Sequence, residues 1–259
     1  SAEGVAIASA IAQWVSAILI VIHLLRRQDA CRLDMRKLRL HPMAAKRVLM
    51  IGIPSGLQNA IFAVANLFVQ AGLNSFDEIT VSGAAAAANA DTLVFNMMAA
   101  FYTACASFVS RNWGAGKNDR ILKSYFISML YAAIVGAVAG GLLLVFGREF
   151  LSLFADKPEV IDAGVDRLRI MAFSYFIGPL MDASIAGSRG LGRSVAPTVM
   201  VILGSCVFRV VWIYTVFAYF HTITSLYLLY MFSWIITGVA EYVYFRAAYK
   251  KIILKPQTW

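Results

Sequence analysis

The chain has 259 residues, 60% of them hydrophobic and only 14% charged, with a formal net charge of +9. Soluble domains run at about 45–50% apolar and about 25% charged, so this composition excludes an ordinary water-soluble fold and points to a membrane protein. Several stretches reach the roughly 20 apolar residues that a helix needs to cross about 30 Å of hydrocarbon.

Seven such stretches follow one another, at about 4–25, 50–73, 83–109, 124–147, 163–187, 195–220 and 226–246. They are rich in Gly and Ala, lack the alternation of strands, and carry no water-facing stripe of charge, which favours helices over a barrel or a soluble bundle. The predicted fold is an all-α integral membrane protein, a polytopic bundle of about seven transmembrane helices.

The first span opens SAEGVAIASA, without an initiator Met or the basic start of a signal peptide, which predicts that the native chain continues N-terminally. It ends at Arg26-Arg27, and the basic stretch 26–49 follows. There Cys31, Met35 and Leu38 recur at helical spacing among Arg and Lys, which reads either as a short amphipathic surface helix or as a solvated linker. Pro42 suits the first turn of the next helix.

The second span carries Ser55, Asn59, Asn66, Gln70 and Asn74 on one face. The third carries Asn89, Thr92, Asn96, Thr103, Ser107 and Ser110 in the same manner. Amides and hydroxyls in hydrocarbon are costly unless paired or hydrated, so each stripe predicts either a water-filled cavity or interhelical hydrogen bonds. Phe62, Phe95, Met98 and Tyr102 lie near these faces and suit bulky apolar ligands, or ordinary packing.

Four ionisable groups stand out within spans: Asp91, Asp182, Arg209 and Glu241. Such groups are functional candidates by default. Asp182 and Arg209 lie on consecutive spans, and Arg209 is expected to pair with Asp182 or Asp91. The alternative for the carboxylates is a protonatable or cation-binding site. Glu241 is expected near the membrane rim, with Arg246 snorkelling beside it.

Charge between the spans alternates. Of the 23 Lys and Arg, 18 lie in 26–47, 111–123, Arg189 with Arg193, and the tail from Arg246. The intervening connections hold Arg148 and Lys157 among Asp77, Glu78, Glu149, Asp156, Glu159 and Asp162. The positive-inside rule then predicts an N-terminus outside and a cytoplasmic C-terminus. The basic excess serves topology, with anionic lipid headgroups as partners, and nucleic acid is not an expected partner. The three Cys and three His form no disulfide or metal-ligand spacing. HExxH, GxSxG and P-loop patterns are missing, so no enzyme and no resident cofactor is expected.

Four stretches in order, IGIPSGLQNAIF, AFYTACASFVSRNWGAGKNDRI, DKPEVIDAGVDRLRI and GSRGLGRSVAPTVMVILGSCVFRVVWIYTVF, resemble the MATE (multidrug and toxic compound extrusion) family. The resemblance covers nearly the whole chain and is to the C-terminal half of those proteins. It implies the last helix of a first lobe (1–25), a basic linker (26–49), a six-helix second lobe (50–252) and a cytoplasmic tail (253–259), with the other lobe of the same polypeptide as partner.

The family implies a plasma (inner) membrane antiporter that exports organic, often cationic, drugs or toxic metabolites in exchange for Na⁺ or H⁺. Its polar stripes would face the cleft between lobes. The register departs at two places where one bacterial subgroup has cation-binding acids. Those positions fall near Phe62 and near Gly178, four residues before Asp182, so that site does not carry over. Arg111 also stands where Gln is usual before NxGAGK. The candidate cavity residues are Asn59, Phe62, Asn66, Gln70, Asn89, Thr92, Asn96, Met98 and Tyr102, and the candidate coupling-ion or intramembrane charges are Asp91, Asp182 and Arg209. Seven spans with this topology also fit a seven-helix receptor, though the last span has no Lys for a retinal Schiff base. A lipid or oligosaccharide flippase of related architecture would differ only in cargo.

Overall fold

The computed structural model describes residues 2–29, 32–37 and 39–254. All seven predicted spans are helices long and apolar enough to cross a membrane. They are α1 Ala2–Arg26, α2 Pro42–Leu73, α3 Glu78–Gly114, α4 Asn118–Leu151, α5 Pro158–Gly190, α6 Val195–Phe220 and α7 Ile223–Leu254. The chain divides into two compact units, 1–48 and 49–259.

In the first unit, Ile7, Ile11, Trp14, Val15 and Ile18 of α1 are exposed. Beyond it the chain turns back through a bond from the Leu33 N–H to the Leu24 carbonyl (3.1 Å). The amphipathic surface helix expected around Met35 shrinks, among the described residues, to the single 3₁₀ turn Met35–Lys37; Cys31 and Leu38 lie outside the described residues. So does Lys255 of the basic tail. Helix α2 starts at Pro42 itself, well before the predicted span at 50, because a proline in the first turn has no N–H to lose and a pre-set φ.

In the second unit, tight connections make successive helices antiparallel. Asp77 caps α3: its carboxylate accepts the Thr80 hydroxyl (2.6 Å) and N–H (3.3 Å), and these bonds hold it below the usual Asp range. Gly116 (φ +67°) and Gly192 (φ +73°) take left-handed conformations after α3 and α5, where a side chain would be strained. The α6–α7 hairpin turns on His221 (φ 44°), whose ring stacks on Phe76 (5.4 Å) and Phe217 (5.0 Å). The α3–α4 and α5–α6 connections lie at what we call the basic end, with the other three hairpins at the opposite end.

Helix α5 is the hub, packed against α3, α4 and α7 and buried over two-thirds of its apolar window. Small residues make that possible, since helices in lipid associate by close van der Waals approach. A Cβ on Gly83 of α3 would sit 2.6 Å from the Val160 carbonyl and 2.7 Å from the Gly164 nitrogen of α5. Gly136 of α4 abuts the Tyr175 carbonyl of α5 in the same way. Hydroxyls add polar ties: Tyr125 of α4 bonds Ser184 of α5 at 2.9 Å.

Helix α6 is irregular. It widens into π-helical turns at Ile202–Val207 and Ile213–Phe217, leaving the regular turn Phe208–Trp212 between them. Gly204 lets the first wide turn press against Thr237 of α7, and Ser205 bonds the Thr237 hydroxyl at 2.9 Å.

The Gly136 crossing is directly testable. Gly136→Val should lower the melting temperature in detergent, since overpacking a tight contact costs about 1–3 kcal/mol. Gly141→Val, one turn away with open space beyond its Cα, should leave it unchanged. Equal melting of the two variants would show that α4 and α5 do not meet at Gly136.

Candidate functional site

A cavity of about 630 Å³ opens between α2, α3, α5, α6 and α7. Its apolar wall is aromatic and thioether: Phe62, Phe95, Met98, Met171, Met181 and Trp234 all line it. Phe95 packs edge-on against both Trp234 (5.8 Å) and Tyr175 (5.9 Å). Flat rings and flexible sulfurs of this kind accommodate varied apolar bodies.

Of the predicted cavity residues, Asn59, Phe62, Asn66, Thr92, Met98 and Tyr102 line this space, and so do the three charges Asp91, Asp182 and Arg209. Gln70, Asn89 and Asn96 are not among its lining residues. Gln70 bonds Asn74 at 2.8 Å, and Asn89 bonds the Ala86 carbonyl at 3.1 Å. Hydroxyls of the stripes also turn back on their own helices, Thr92 to Ala88 (2.9 Å) and Thr103 to Ala99 (3.0 Å). A polar stripe read from spacing therefore mixes groups that face the cavity with groups whose own backbone satisfies them.

The charges pair differently from the sequence expectation. Asp91 is buried and forms a salt bridge with Arg167 of α5, which also lies over the Tyr227 ring at 5.0 Å. The Tyr175 hydroxyl donates to the other Asp91 oxygen. Arg167 and Tyr175 are eight residues apart, about two turns along one face of α5, and that face is turned to α3. Arg167 is thus a further buried charge within a span; like the exposed Asp166 and Arg169 it lies within two turns of the predicted start at 163, so in sequence it reads as a flanking charge.

Arg209 pairs with neither carboxylate. Its Nη1 donates to the Asn66 Oδ1 at 3.0 Å, and its guanidinium lies over the rings of Tyr230 (4.5 Å) and Phe62 (5.2 Å). The reason is rotation: the turn Phe208–Trp212 aims Arg209 at α2, while Asp91 is already taken. Only 2% of Arg209 is exposed, and its Nε has no acceptor among the described residues.

Asp182 lines the cavity and has no hydrogen bond or salt bridge to the described residues. Toward the basic end, Arg189 clamps three helices: its Nη1 donates to the Tyr102 hydroxyl (2.7 Å) and its Nη2 to the Gln58 Oε1 (2.8 Å). Gln58 and Arg189 are site residues that sequence reading did not select, although Gln58 immediately precedes the chosen Asn59.

Glu241 departs furthest from expectation. It is fully buried rather than set at the rim, and both carboxyl oxygens lack partners among the described residues. Phe245, one turn on, packs on Gly187 of α5, so this face of α7 turns inward and Arg246 lies off it.

Comparison with known proteins places this geometry. The chain is 21% identical over 270 residues to a probable multidrug resistance protein, NorM, of Thermotoga maritima, covering 99% of this chain and 53% of that protein. It is 27% identical over 132 residues to a probable multidrug resistance protein, YpnP, of Bacillus subtilis, covering 51% of this chain and 30% of the relative. A multidrug resistance MATE family transporter solved in its outward-facing conformation superposes with a TM-score of 0.84 at 16% identity, covering 95% of this chain and 55% of that one. The chain spans about half the length or less of these proteins. The MatE family model matches residues 54–215, from α2 to the second wide turn of α6, and the chain belongs to that family.

Proposed function

We propose that this chain supplies one lobe of a secondary antiporter that exports organic compounds in exchange for Na⁺ or H⁺. The observation that carries the reading is Asp182, a carboxylate without a partner among the described residues, in a cavity walled by aromatic and Met side chains. An intramembrane carboxylate left open to a cavity is a natural seat for a cation. The flat faces of Phe95 and Trp234 beside it supply apolar contact, and cation–π attraction where the cargo is cationic.

An ion that binds one conformation better than the other shifts the balance between them. In folds of this kind, alternating access proceeds by rocking one bundle against its counterpart around a fixed site. The names of the relatives, both probable multidrug resistance proteins, support an organic cargo. Family membership displaces the receptor reading. The alternation of basic and acidic connections supports a plasma-membrane placement with a cytoplasmic C-terminus.

Efflux of a dye from energised proteoliposomes containing the whole protein tests the reading. Collapse of the Na⁺ or the H⁺ gradient should abolish export; export that persists without both gradients would overturn antiport.

The two acids should part company on substitution. Asp182→Asn should lower transport about tenfold or more with little change in melting temperature, because it removes no bond within the lobe. Asp91→Asn leaves Arg167 buried without its counter-charge, which costs about 3–5 kcal/mol, so the melting temperature should fall sharply. Small and equal effects from both on transport would remove Asp182 from the coupling role.

A further inference from the structure

We propose that the cavity holds its organic ligand by an anionic group, a carboxylate, sulfonate or phosphate, seated on Arg209. The inference rests on the transporter reading above and assigns one part of the cargo's chemistry. A guanidinium buried at mid-span is costly unless an opposite charge or several acceptors offset it. Arg209 has five N–H donors, of which one is used among the described residues, toward Asn66. The rings of Tyr230 and Phe62 cover it without accepting a conventional hydrogen bond.

Among the described residues no carboxylate serves as its partner. Asp91 is held by Arg167 and Tyr175. Glu241 is not among the residues lining the cavity and bonds no arginine among the described residues, and neither does Asp182. The charge nevertheless borders the cavity.

The backbone around it is built to hold this pose. Arg209 rides on one regular turn between two π-helical segments, and such wide turns occur preferentially at functional sites. The first is tied to α7 through Ser205 and Thr237. At the far side Trp212 Nε1 donates to the Ser225 carbonyl at 2.8 Å. The planar fork of a guanidinium matches a carboxylate, sulfonate or phosphate by paired hydrogen bonds. The surrounding Phe62, Trp234 and Met171 call for an apolar body attached to that group, so a bare inorganic anion fits the space poorly.

The test uses the whole protein in nanodiscs and two dyes that share one xanthene body, fluorescein as the acidic probe and rhodamine 6G as the cationic one, followed by fluorescence anisotropy. Loss of a charge-assisted bond should weaken fluorescein binding about tenfold or more in Arg209→Gln. Asn66→Asp should do the same while keeping Arg209, because the new carboxylate occupies the guanidinium. Both variants should bind rhodamine 6G more tightly, since each removes or neutralises a like charge.

A general loss of structure would weaken both dyes together and so overturn the assignment, as would fluorescein binding unchanged in either variant. Displacement of fluorescein by equimolar sulfate would likewise overturn it in favour of an inorganic anion. Gradient-driven export of rhodamine 6G by the wild type reports the transporter reading separately: export without any fluorescein binding removes the Arg209 subsite alone.

Discussion

The close fit of α5 against three other helices is the constraint on which this lobe depends. Lipid exerts no hydrophobic pressure that would drive apolar helices together, so van der Waals contact and polar ties must hold them. Glycines at the crossings with α3 and α4 bring backbones into contact. The hydroxyls of Tyr125 and Ser184, and the salt bridge from Arg167 to Asp91, then fasten those contacts. Helix α2 is joined to the bundle differently. Its exposed face carries Leu57, Val64 and Leu67, and its polar ties run through Gln58 to Arg189, Asn66 to Arg209 and the Met50 carbonyl, which accepts the Ser194 hydroxyl. The helix that closes one side of the cavity is thus held by two arginines that also border it.

That arrangement divides the buried charges by role. Arg167 and Asp91 neutralise one another, with Tyr175 taking the second carboxylate oxygen, and their removal would be felt as lost stability. Arg189 donates to Tyr102 and Gln58, while Glu241 is buried away from the cavity lining with no bond among the described residues. Arg209 and Asp182 have no salt-bridge partner among the described residues. A site that must receive a charged guest cannot neutralise itself beforehand, because a preformed ion pair would have to be broken on binding. The two open groups that line the cavity are therefore the informative ones.

Hydropathy alone locates all seven helices, because each needs about 20 apolar residues whatever its neighbours. Their rotation is another matter. Spacing places Asn66, Asn89 and Asn96 on polar faces, but only the bond of Asn66 to Arg209 and the packing of α3 against α4 and α5 decide that Asn66 borders the cavity and that the other two do not. Charge pairing fails for the same reason. Asp182 and Arg209 are neighbours in the order of helices, yet partner choice depends on which face of α5 meets α3. Arg167 was legible only as a residue one turn inside a span. Glu241 looked like a rim residue because Arg246 follows it, while its burial depends on Gly187 of α5 admitting Phe245. Family resemblance carried the lobe's architecture across, whereas the register of its acids did not transfer.

The depths of the two open charges bear on how exchange would work. Arg189 bonds Gln58 and Arg209 bonds Asn66, so along α2 the two arginines are separated by eight residues, about 12 Å at 1.5 Å per residue. Along α5, which runs the opposite way, Asp182 precedes Arg189 by seven residues, about 10 Å. Asp182 and Arg209 therefore lie at nearly the same depth, on α5 and α6, with the cavity and no bond between them. At that depth a cation entering at Asp182 would on its own strengthen the pull of Arg209 on an anionic group, which favours joint binding rather than exchange. Exchange requires the coupling cation and the cargo to compete. Competition arises when the cargo's body reaches across to Asp182 while its acidic end stays on Arg209, so that cation and cargo contend for one carboxylate and not for the guanidinium.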